Sequence, residues 1–354
     1  MGACSFQEIS RKRLILLSVT VISIVFVLLC RWNAEVAEWY IQTIYPLLAT
    51  ALSYFSNIFP FSLFDALTIA AIAIFIFSIV QLFRRKLKFL RWLYYLTMSI
   101  VWIALWFYLS WGIGYFRVDY YSRSAILPVN IGIEDFYSIN LQYIDSLNLA
   151  YIPIEEIEKL DINEAIENSY AELRQELGLP YPNGKRNPKR TIYQSLQTKM
   201  GVTGFFGPFF NEVHVNTSVL PFSYPFTLAH EKAHQMGITS EAECNLYAAI
   251  VCTSSNHLQV KYSGYYELIS YLLSALRKVS PELYADAYKH IRQEVRDDYT
   301  REREFWQQTI NPELNKLQSK VYDSYLKGNN ISSGIVSYSQ VVELFLAWEQ
   351  HKTK

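Results

Sequence analysis

Two histidines and a glutamate lie in one short stretch of the sequence, at a spacing that suits a metal ion. His230 and His234 are four residues apart, so on an α-helix both imidazoles project from one face and can bind the same cation. Glu231 would lie beside that ion, where its carboxylate can take a proton from a water molecule. The stretch predicts a Zn²⁺ site for hydrolysis, with Glu231 as general base.

A catalytic zinc site needs a third protein ligand and one open coordination position. Gly237 stands where glycine commonly ends a helix, so the chain can turn and bring a second helix back against the first. Glu241 and Glu243 are then both candidates for the third ligand. Because Ser240 and Glu243 have the spacing of a capping box, which would occupy Glu243, we expect Glu241 to be the ligand, although spacing leaves both carboxylates open.

Residues near the predicted ligands are expected to support them. Asn245, one turn after Glu241, can hydrogen-bond the far nitrogen of a ligating histidine. Cys244 is expected to be a small buried side chain behind Glu241. Lys232 argues against a metal site, because this position of such helices is usually uncharged.

A group that stabilises an oxyanion is usual in hydrolytic sites. The candidates, which the sequence does not rank, are Tyr338, Tyr322 and His257.

Composition places the chain among membrane proteins with a substantial folded domain. Its 354 residues carry no net charge, so nothing in the charge balance favours nucleic acid as a partner. Aromatic residues make up 16%, with 27 Tyr and 8 Trp, which suits a membrane interface and a helical core. Four cysteines give no disulfide framework.

Three apolar runs predict transmembrane helices at residues 14–30, 63–83 and 92–115. The first run is near the lower length limit for a span, and a cleavable signal peptide is the alternative; no small-residue cleavage site follows it. Aromatic and polar residues alternate in 32–60. We expect this segment to lie in the membrane interface, with a short helical hairpin away from lipid as the alternative.

Basic residues cluster at 11–13 and at 84–91, which three crossings would place on one side of the membrane. The positive-inside rule makes that side cytoplasmic. Residues 1–116 are therefore predicted to form a membrane domain, and residues 117–354 a folded domain on the outer side.

The folded domain is predicted to be mainly α-helical, with a small β element before the metal-binding helix, an α+β arrangement. Val213 and Val215 alternate with polar residues, which predicts a strand with one solvated face and an edge open to an extended peptide; a shielded edge strand is the alternative. His214 on that strand is only a weak candidate for a further metal ligand. The basic run 185–190 can meet an acidic substrate or lipid headgroups, or it can be a solvated loop.

Further helices are predicted from apolar periodicity and from Pro, Gly and Ser positions. They cover 154–177, 265–276, 281–299, 302–325 and 334–347, and 246–252 is expected to continue the helix that carries Glu241.

Over nearly its full length the chain resembles the DUF3810 family of bacterial membrane proteins, a family placed in a zinc-peptidase-like group. The segments that carry the resemblance are Tyr45-Pro46, Pro60-Phe61-Ser62, Trp111-Gly112, Gly204 to Asn216, His230 to Asn245, Tyr325 to Lys327 and Ser337-Tyr338. The motif region is also similar, more distantly, to membrane-embedded gluzincins, in which a glutamate of an ExxAD or ExxCD string joins the HExxH pair. Glu241 to Asn245 fits that string with Asn in place of Asp, which implies Glu241 as the ligand and a zincin-like fold.

Together these features predict a zinc metallopeptidase of the bacterial inner membrane. Its ligands would be His230, His234 and Glu241, its partners a peptide or protein substrate and the lipid bilayer. Two alternatives remain: an inactive scaffold in which zinc only fastens two helices, and a sensor. The sensor lacks any cytoplasmic output domain in the segments predicted to face inward.

Overall fold

The protein is described by a computed structural model covering residues 2–180, 186–329 and 338–352, with the side chains of 2–10, 12, 13, 338 and 339 left out. Its architecture is mainly α-helical with one small sheet, as predicted. The N-terminal helices are α1 (Gly2–Trp32), α2 (Ala34–Thr43), α3 (Tyr45–Asn57), α4 (Leu63–Phe83) and α5 (Phe89–Ser110), followed by a 3₁₀ helix (Gly112–Phe116). After them come α6 (Tyr120–Ser124), α7 (Ile133–Ala150), α8 (Lys159–Leu173), α9 (Gln194–Met200), β1 (Gly204–Gly207), β2 (Glu212–Val215), α10 (Tyr224–Gln235), α11 (Glu241–Ser254), α12 (Leu258–Val279), α13 (Pro281–Lys289), α14 (Gln293–Thr309), α15 (Pro312–Gly328) and α16 (Tyr338–Lys352).

Three helices are long and apolar enough to cross a membrane, so this is a membrane protein. Their spans are Leu14–Trp32, Leu63–Phe83 and Phe89–Ser110. The third was predicted at 92–115 and in fact begins and ends earlier. It stops because Trp111, with φ −171°, leaves the helical conformation, and the chain then tightens into the 3₁₀ helix.

The predicted interfacial segment consists of the two short helices α2 and α3. They pack against protein as well as presenting exposed aromatic side chains. Tyr40 donates its hydroxyl to the backbone oxygen of Leu109 at 2.5 Å, near the end of the third span. Tyr45, fully buried, donates to the backbone oxygen of Gln235 at 2.7 Å, at the end of α10. The segment therefore connects the third span to the helix that carries the histidines.

Helix α12 lies at the centre of the folded domain. Its apolar positions recur at helical spacing, and Ile269, Leu272 and Leu276 are fully buried. Helices α7, α10, α11 and α16 pack around it. The helix pair α10 and α11 is therefore held against a rigid core.

The sheet consists of β1 and β2, paired antiparallel with Gly204 opposite Val215 and Gly207 opposite Glu212. The prediction of a solvated face on the second strand is wrong. The polar residues of that face, Glu212, His214 and Asn216, are all buried. Lys189 forms a parallel bridge with His214, so β2 is covered on its second edge. Among the described residues, the edge left without a strand partner is that of β1.

Distant elements cover the polar face of β2. The carboxylate of Glu212 accepts hydrogen bonds from the amides of Leu63 (3.0 Å) and Phe64 (2.9 Å), at the N-terminus of the second span. It also accepts one from Lys189 Nζ at 2.6 Å. An anion at a helix N-terminus satisfies free amides and matches the helix dipole. The second span is thus capped by the sheet of the folded domain.

Two parts of the predicted basic run are buried rather than solvated. Arg186 pairs with Glu167, and Lys189 pairs with Glu212. Residues 181–185 lie outside the described part of the chain. Of the three described cations of the run, Arg186 and Lys189 each have a carboxylate partner, whereas Arg190 is exposed.

Several helix limits differ from prediction. The predicted helix 281–299 is two helices, separated around Ile291, and 302–325 is interrupted where Asn311 caps the amides of Glu313 and Leu314. The predicted helix 154–177 is shorter, as α8, and α7 was not predicted at all. The region 330–337 lies outside the described residues.

Candidate metal centre

Helix α10 carries His230, Glu231 and His234. Pro225 lies in its first turn, where proline is well tolerated, and the helix ends at Gln235. Gly237 follows with φ +85°, a left-handed conformation that favours glycine, so the predicted helix stop is confirmed. The chain then turns into α11.

Helix α11 brings Glu241 to the histidines from its first turn. Ser240 is its N-cap, and its hydroxyl oxygen accepts the amide of Glu243 at 3.4 Å. The second half of the predicted capping box is not formed, because the Glu243 carboxylate instead accepts a hydrogen bond from Arg123. Glu243 therefore points away from the histidines, whereas Glu241 points toward them.

Three side chains converge in this region. Glu241 Oε2 lies 3.1 Å from His230 Nε2, and Glu241 Oε1 lies 3.4 Å from His234 Nε2. One ligand atom from each of the three residues can be chosen so that all lie within 4.8 Å of one another. The group can hold a metal ion.

The opposite ring nitrogens of both histidines have hydrogen-bond partners, which fixes the tautomers. His230 Nδ1 lies 2.7 Å from Asn245 Oδ1, as predicted for Asn245. His234 Nδ1 lies 2.8 Å from the backbone oxygen of Ile238. Because both acceptors are oxygens, each Nδ1 is the donor, and Nε2 of each ring, which faces Glu241, is the nitrogen that can bind a metal ion. Two imidazole nitrogens and a carboxylate suit a divalent cation.

Burial and charge shape the electrostatics of the centre. Burial disfavours charge on Glu241, but His234 and hydrogen bonds from both histidines outweigh it and hold the pKa of Glu241 well below its usual value. Burial raises the pKa of Glu231 to about 7, against the lowering effect of the two histidines. Glu231 is 5% exposed, and its Oε2 has no hydrogen-bond partner among the described residues. A bound dication would lower the pKa of both carboxyl groups, and for Glu231 it would oppose the effect of burial.

Two neighbours of the ligands have roles that the sequence left open. Cys244 is fully buried, with its sulfur 3.2 Å from His234 Nδ1, so it lies behind His234 rather than behind Glu241. Burial raises the pKa of its thiol to about 12. Lys232 is also fully buried, pairs with Glu167 and donates to the backbone oxygen of Arg186 at 2.9 Å. Its charge is therefore neutralised away from the centre and does not oppose a cation there.

A cavity of about 860 Å³ opens on the centre. All three converging side chains line it, together with Glu231 and Asn245. Of the candidates for an oxyanion-stabilising group, Tyr322 lines the cavity and donates a hydrogen bond to Glu241. His257 is not among the lining residues, and the side chain of Tyr338 lies outside the described part.

His214 is separate from the centre. Its Nε2 lies 2.8 Å from Ser62 Oγ, and its ring stacks on Phe205 with centroids 4.2 Å apart. Burial lowers the pKa of His214 to about 4, so the imidazole is neutral at pH 7. It binds the start of the second span.

Sequence reasoning missed several residues that surround the centre. Trp111 donates its indole N–H to the backbone oxygen of His234 at 2.8 Å. Arg123 and Glu167 bind Glu243 and Lys232 from other helices. No local pattern identifies these partners, because each is distant in sequence.

These features define a multi-pass membrane protein that carries a candidate metal centre next to the end of its third span. The chain belongs to the DUF3810 family, whose description is "Protein of unknown function (DUF3810)", and matches it over residues 40–346. The match includes the entire candidate centre and the second and third spans. No curated protein and no solved structure matches the chain.

Proposed function

We propose that this protein is a membrane-anchored, zinc-dependent metallopeptidase. The observation that carries the proposal is the convergence of His230 Nε2, His234 Nε2 and the Glu241 carboxylate in a large cavity, with Glu231 beside them. Two imidazoles and one carboxylate are the ligand set of His₂Glu catalytic zinc sites. A purely structural zinc site is closed, whereas this group faces a cavity of about 860 Å³, which favours catalysis over an inactive scaffold.

Zinc, when bound by His230, His234 and Glu241, would lower the pKa of a coordinated water to about 7 and polarise the scissile carbonyl. The histidines present neutral imidazoles to the ion, because Asn245 and the backbone oxygen of Ile238 hold the proton on each Nδ1. Glu241 supplies the negative charge.

Glu231 is the proposed proton carrier. Its Oε2, buried and without a partner among the described residues, takes a proton from the attacking water. The water oxygen forms a bond to the carbonyl carbon, the C–N bond breaks, and Glu231 passes its proton to the leaving nitrogen. Water is consumed and no other reactant is required.

The peptide nature of the substrate is supported by β1. This strand pairs with β2 on one edge, while Gly201 to Phe206 line the cavity. Gly204 lies so close to Glu231 that a Cβ there would stand 2.8 Å from Glu231 Oε1. An extended peptide could add to the free edge of β1 through backbone hydrogen bonds and lie across the metal ligands.

The proposed location is a bacterial inner membrane, with residues 117–354 on the extracytoplasmic side. The basic clusters at 11–13 and 84–91 support this orientation through the positive-inside rule. A reporter that works only in the periplasm should be active when it is fused after Lys354. Activity of a cytoplasmic reporter there would reverse the orientation.

The test of the activity compares the purified full-length protein with Glu231→Gln, in detergent, on a randomised peptide mixture. We expect the variant to retain its metal and to lose hydrolysis by a factor of at least about 10². Hydrolysis that is equal in both proteins, with equal metal, would contradict the proposed role of Glu231 and favour the scaffold.

A further inference from the structure

The third span contributes directly to the wall of the metal cavity. Phe107 lies within the span Phe89–Ser110, and it lines the cavity together with Trp111 and Tyr115. Phe107 precedes the end of the span by three residues, which at 1.5 Å of rise per residue is about 5 Å. One side of the cavity is therefore formed at the depth where the helix leaves the bilayer.

Direct contacts hold the metal centre close to the end of the third span. Trp111, the first residue after the span, binds the backbone of His234 through its indole, and the two rings have centroids 5.7 Å apart. Because Trp111 is fully packed, with 6% exposed, this contact does not depend on a mobile surface group. The ring of His234 thus lies next to the first residue that follows the third span.

The start of the second span supports the other side of the cavity. It begins at Leu63, on the side where the third span ends, since a short turn at 84–88 joins the two helices. Glu212 of β2 caps that start. The ring of Phe64 packs on the rings of Phe205 and Phe209, with centroids 5.4 and 6.3 Å apart. The β hairpin that borders the cavity therefore lies on the start of the second span.

Apolar side chains remain exposed at the same level. Ile58 is 73% and Phe61 53% exposed, just before the second span, and Phe55 on α3 is 47% exposed. Trp106, one turn before the end of the third span, donates its indole to the backbone oxygen of Phe209 at 3.1 Å. Aromatic side chains of this kind prefer the headgroup region of a bilayer. Lipid on this surface would bring the cavity to the membrane boundary.

We propose that the cavity takes a polypeptide anchored in the same bilayer and acts on the first few residues outside the membrane. This inference rests on the proposed peptidase function. An extended chain advances about 3.3 Å per residue, so about two residues cover the 5.7 Å that separate the rings of Trp111 and His234. A scissile bond within about five residues of the bilayer would reach the centre without unfolding of either partner.

Anchoring also gives a kinetic advantage. A substrate confined to the bilayer has a high effective concentration at a site on the boundary, and a long flexible spacer lowers that concentration. A soluble peptide gains nothing from the position of the cavity. The rate should therefore depend on anchoring and on the distance of the cleavable bond from the membrane.

The test uses the full-length protein in liposomes of phosphatidylethanolamine and phosphatidylglycerol. Three synthetic probes share one randomised segment of about ten residues. In the first, the segment directly follows a leucine-alanine transmembrane helix of about 20 residues. In the second probe, a Gly/Ser spacer of about 20 residues separates the transmembrane helix from the randomised segment. In the third probe, the randomised segment is free in solution. New termini are identified by mass spectrometry, with Glu231→Gln as control.

We expect the directly anchored probe to be cut within about five residues of the helix, at least about tenfold faster than the other two. Equal rates for all three probes, or cuts spread independently of the membrane, would overturn the membrane-anchored substrate while leaving the peptidase intact. No cleavage of any probe beyond the Glu231→Gln control would contradict the peptidase function itself, and this inference with it.

Discussion

Asn245 Oδ1 lies 2.7 Å from His230 Nδ1, on the side of the ring opposite to Glu241. The amide oxygen accepts the Nδ1 proton, so Nε2 is the ring nitrogen left to bind a metal ion. This places Asn245 as a positioning residue for His230, and the arrangement connects α11 to α10 a second time, beside the Glu241 contact.

Replacing Asn245 with Ala should weaken zinc binding by roughly 10- to 100-fold, the usual effect of losing a hydrogen-bond partner of a ligating histidine. Affinity is measured by competition with a chromophoric zinc chelator. Asn245→Asp keeps an acceptor oxygen and should bind zinc at least as tightly as the wild type. Unchanged affinity in Asn245→Ala would show that His230 needs no such partner.

Tyr322 reaches Glu241 from α15 and donates a hydrogen bond to its carboxylate. Tyr322→Phe removes this donor, which should weaken zinc binding by roughly tenfold because the carboxylate is less firmly oriented. Tyr325→Phe is a matched control. Its hydroxyl lies 3.0 Å from that of Tyr115, and no hydrogen bond joins it to Glu241 in the described structure. Equal losses in both variants would show that Tyr322 has no specific role at the ligand.

Glu167 neutralises two buried cations, Lys232 and Arg186. Glu167→Gln leaves the fully buried Lys232 ammonium without a carboxylate, and we expect a loss of about 3–5 kcal/mol in the free energy of unfolding. The measurement is thermal unfolding in detergent. Replacing exposed Glu172, on the same helix, with Gln should change stability by less than about 0.5 kcal/mol.

The double variant Glu167→Gln with Lys232→Met distinguishes charge from packing. Removing the unpaired ammonium should restore part of the lost stability. If the double variant is less stable than Glu167→Gln alone, the loss does not come from an uncompensated charge.

The same carboxylate predicts a pH dependence. Burial opposes ionisation of Glu167, but Lys232 and Arg186 outweigh it and lower its pKa from 4.5 to about 2. A lowered pKa in the folded state contributes stability that is fully present above pH 4.5 and is lost as pH falls toward 2. Melting of the metal-free protein, in EDTA, should show this loss in the wild type. Glu167→Gln should lack it, and identical pH profiles would contradict the assignment.

The centre was predictable because its information is local. The spacing of His230 and His234, the stop at Gly237 and the cap at Ser240 all lie within a few residues of one another, and helix geometry converts that spacing into positions. Glu241 and Asn245 follow from the same turn. The mainly α architecture and the number of spans follow from apolar periodicity and run length.

Long-range packing was not predictable. Glu212 and His214 look like the solvated face of a strand, and nothing nearby reveals that the second span and Lys189 cover them. Lys232 looks unfavourable at its position until Glu167, on α8, pairs with it. At the early end of the third span, Trp111 likewise contacts α10, which is distant in sequence.

Metal content tests the central claim most directly. The full-length protein, purified without chelators, should contain close to one zinc per chain by inductively coupled plasma mass spectrometry, and so should Glu231→Gln. The double variant His230→Ala, His234→Ala should contain almost none, because a single carboxylate does not hold the ion. Equal zinc in the wild type and in the double variant would contradict the assignment of this site.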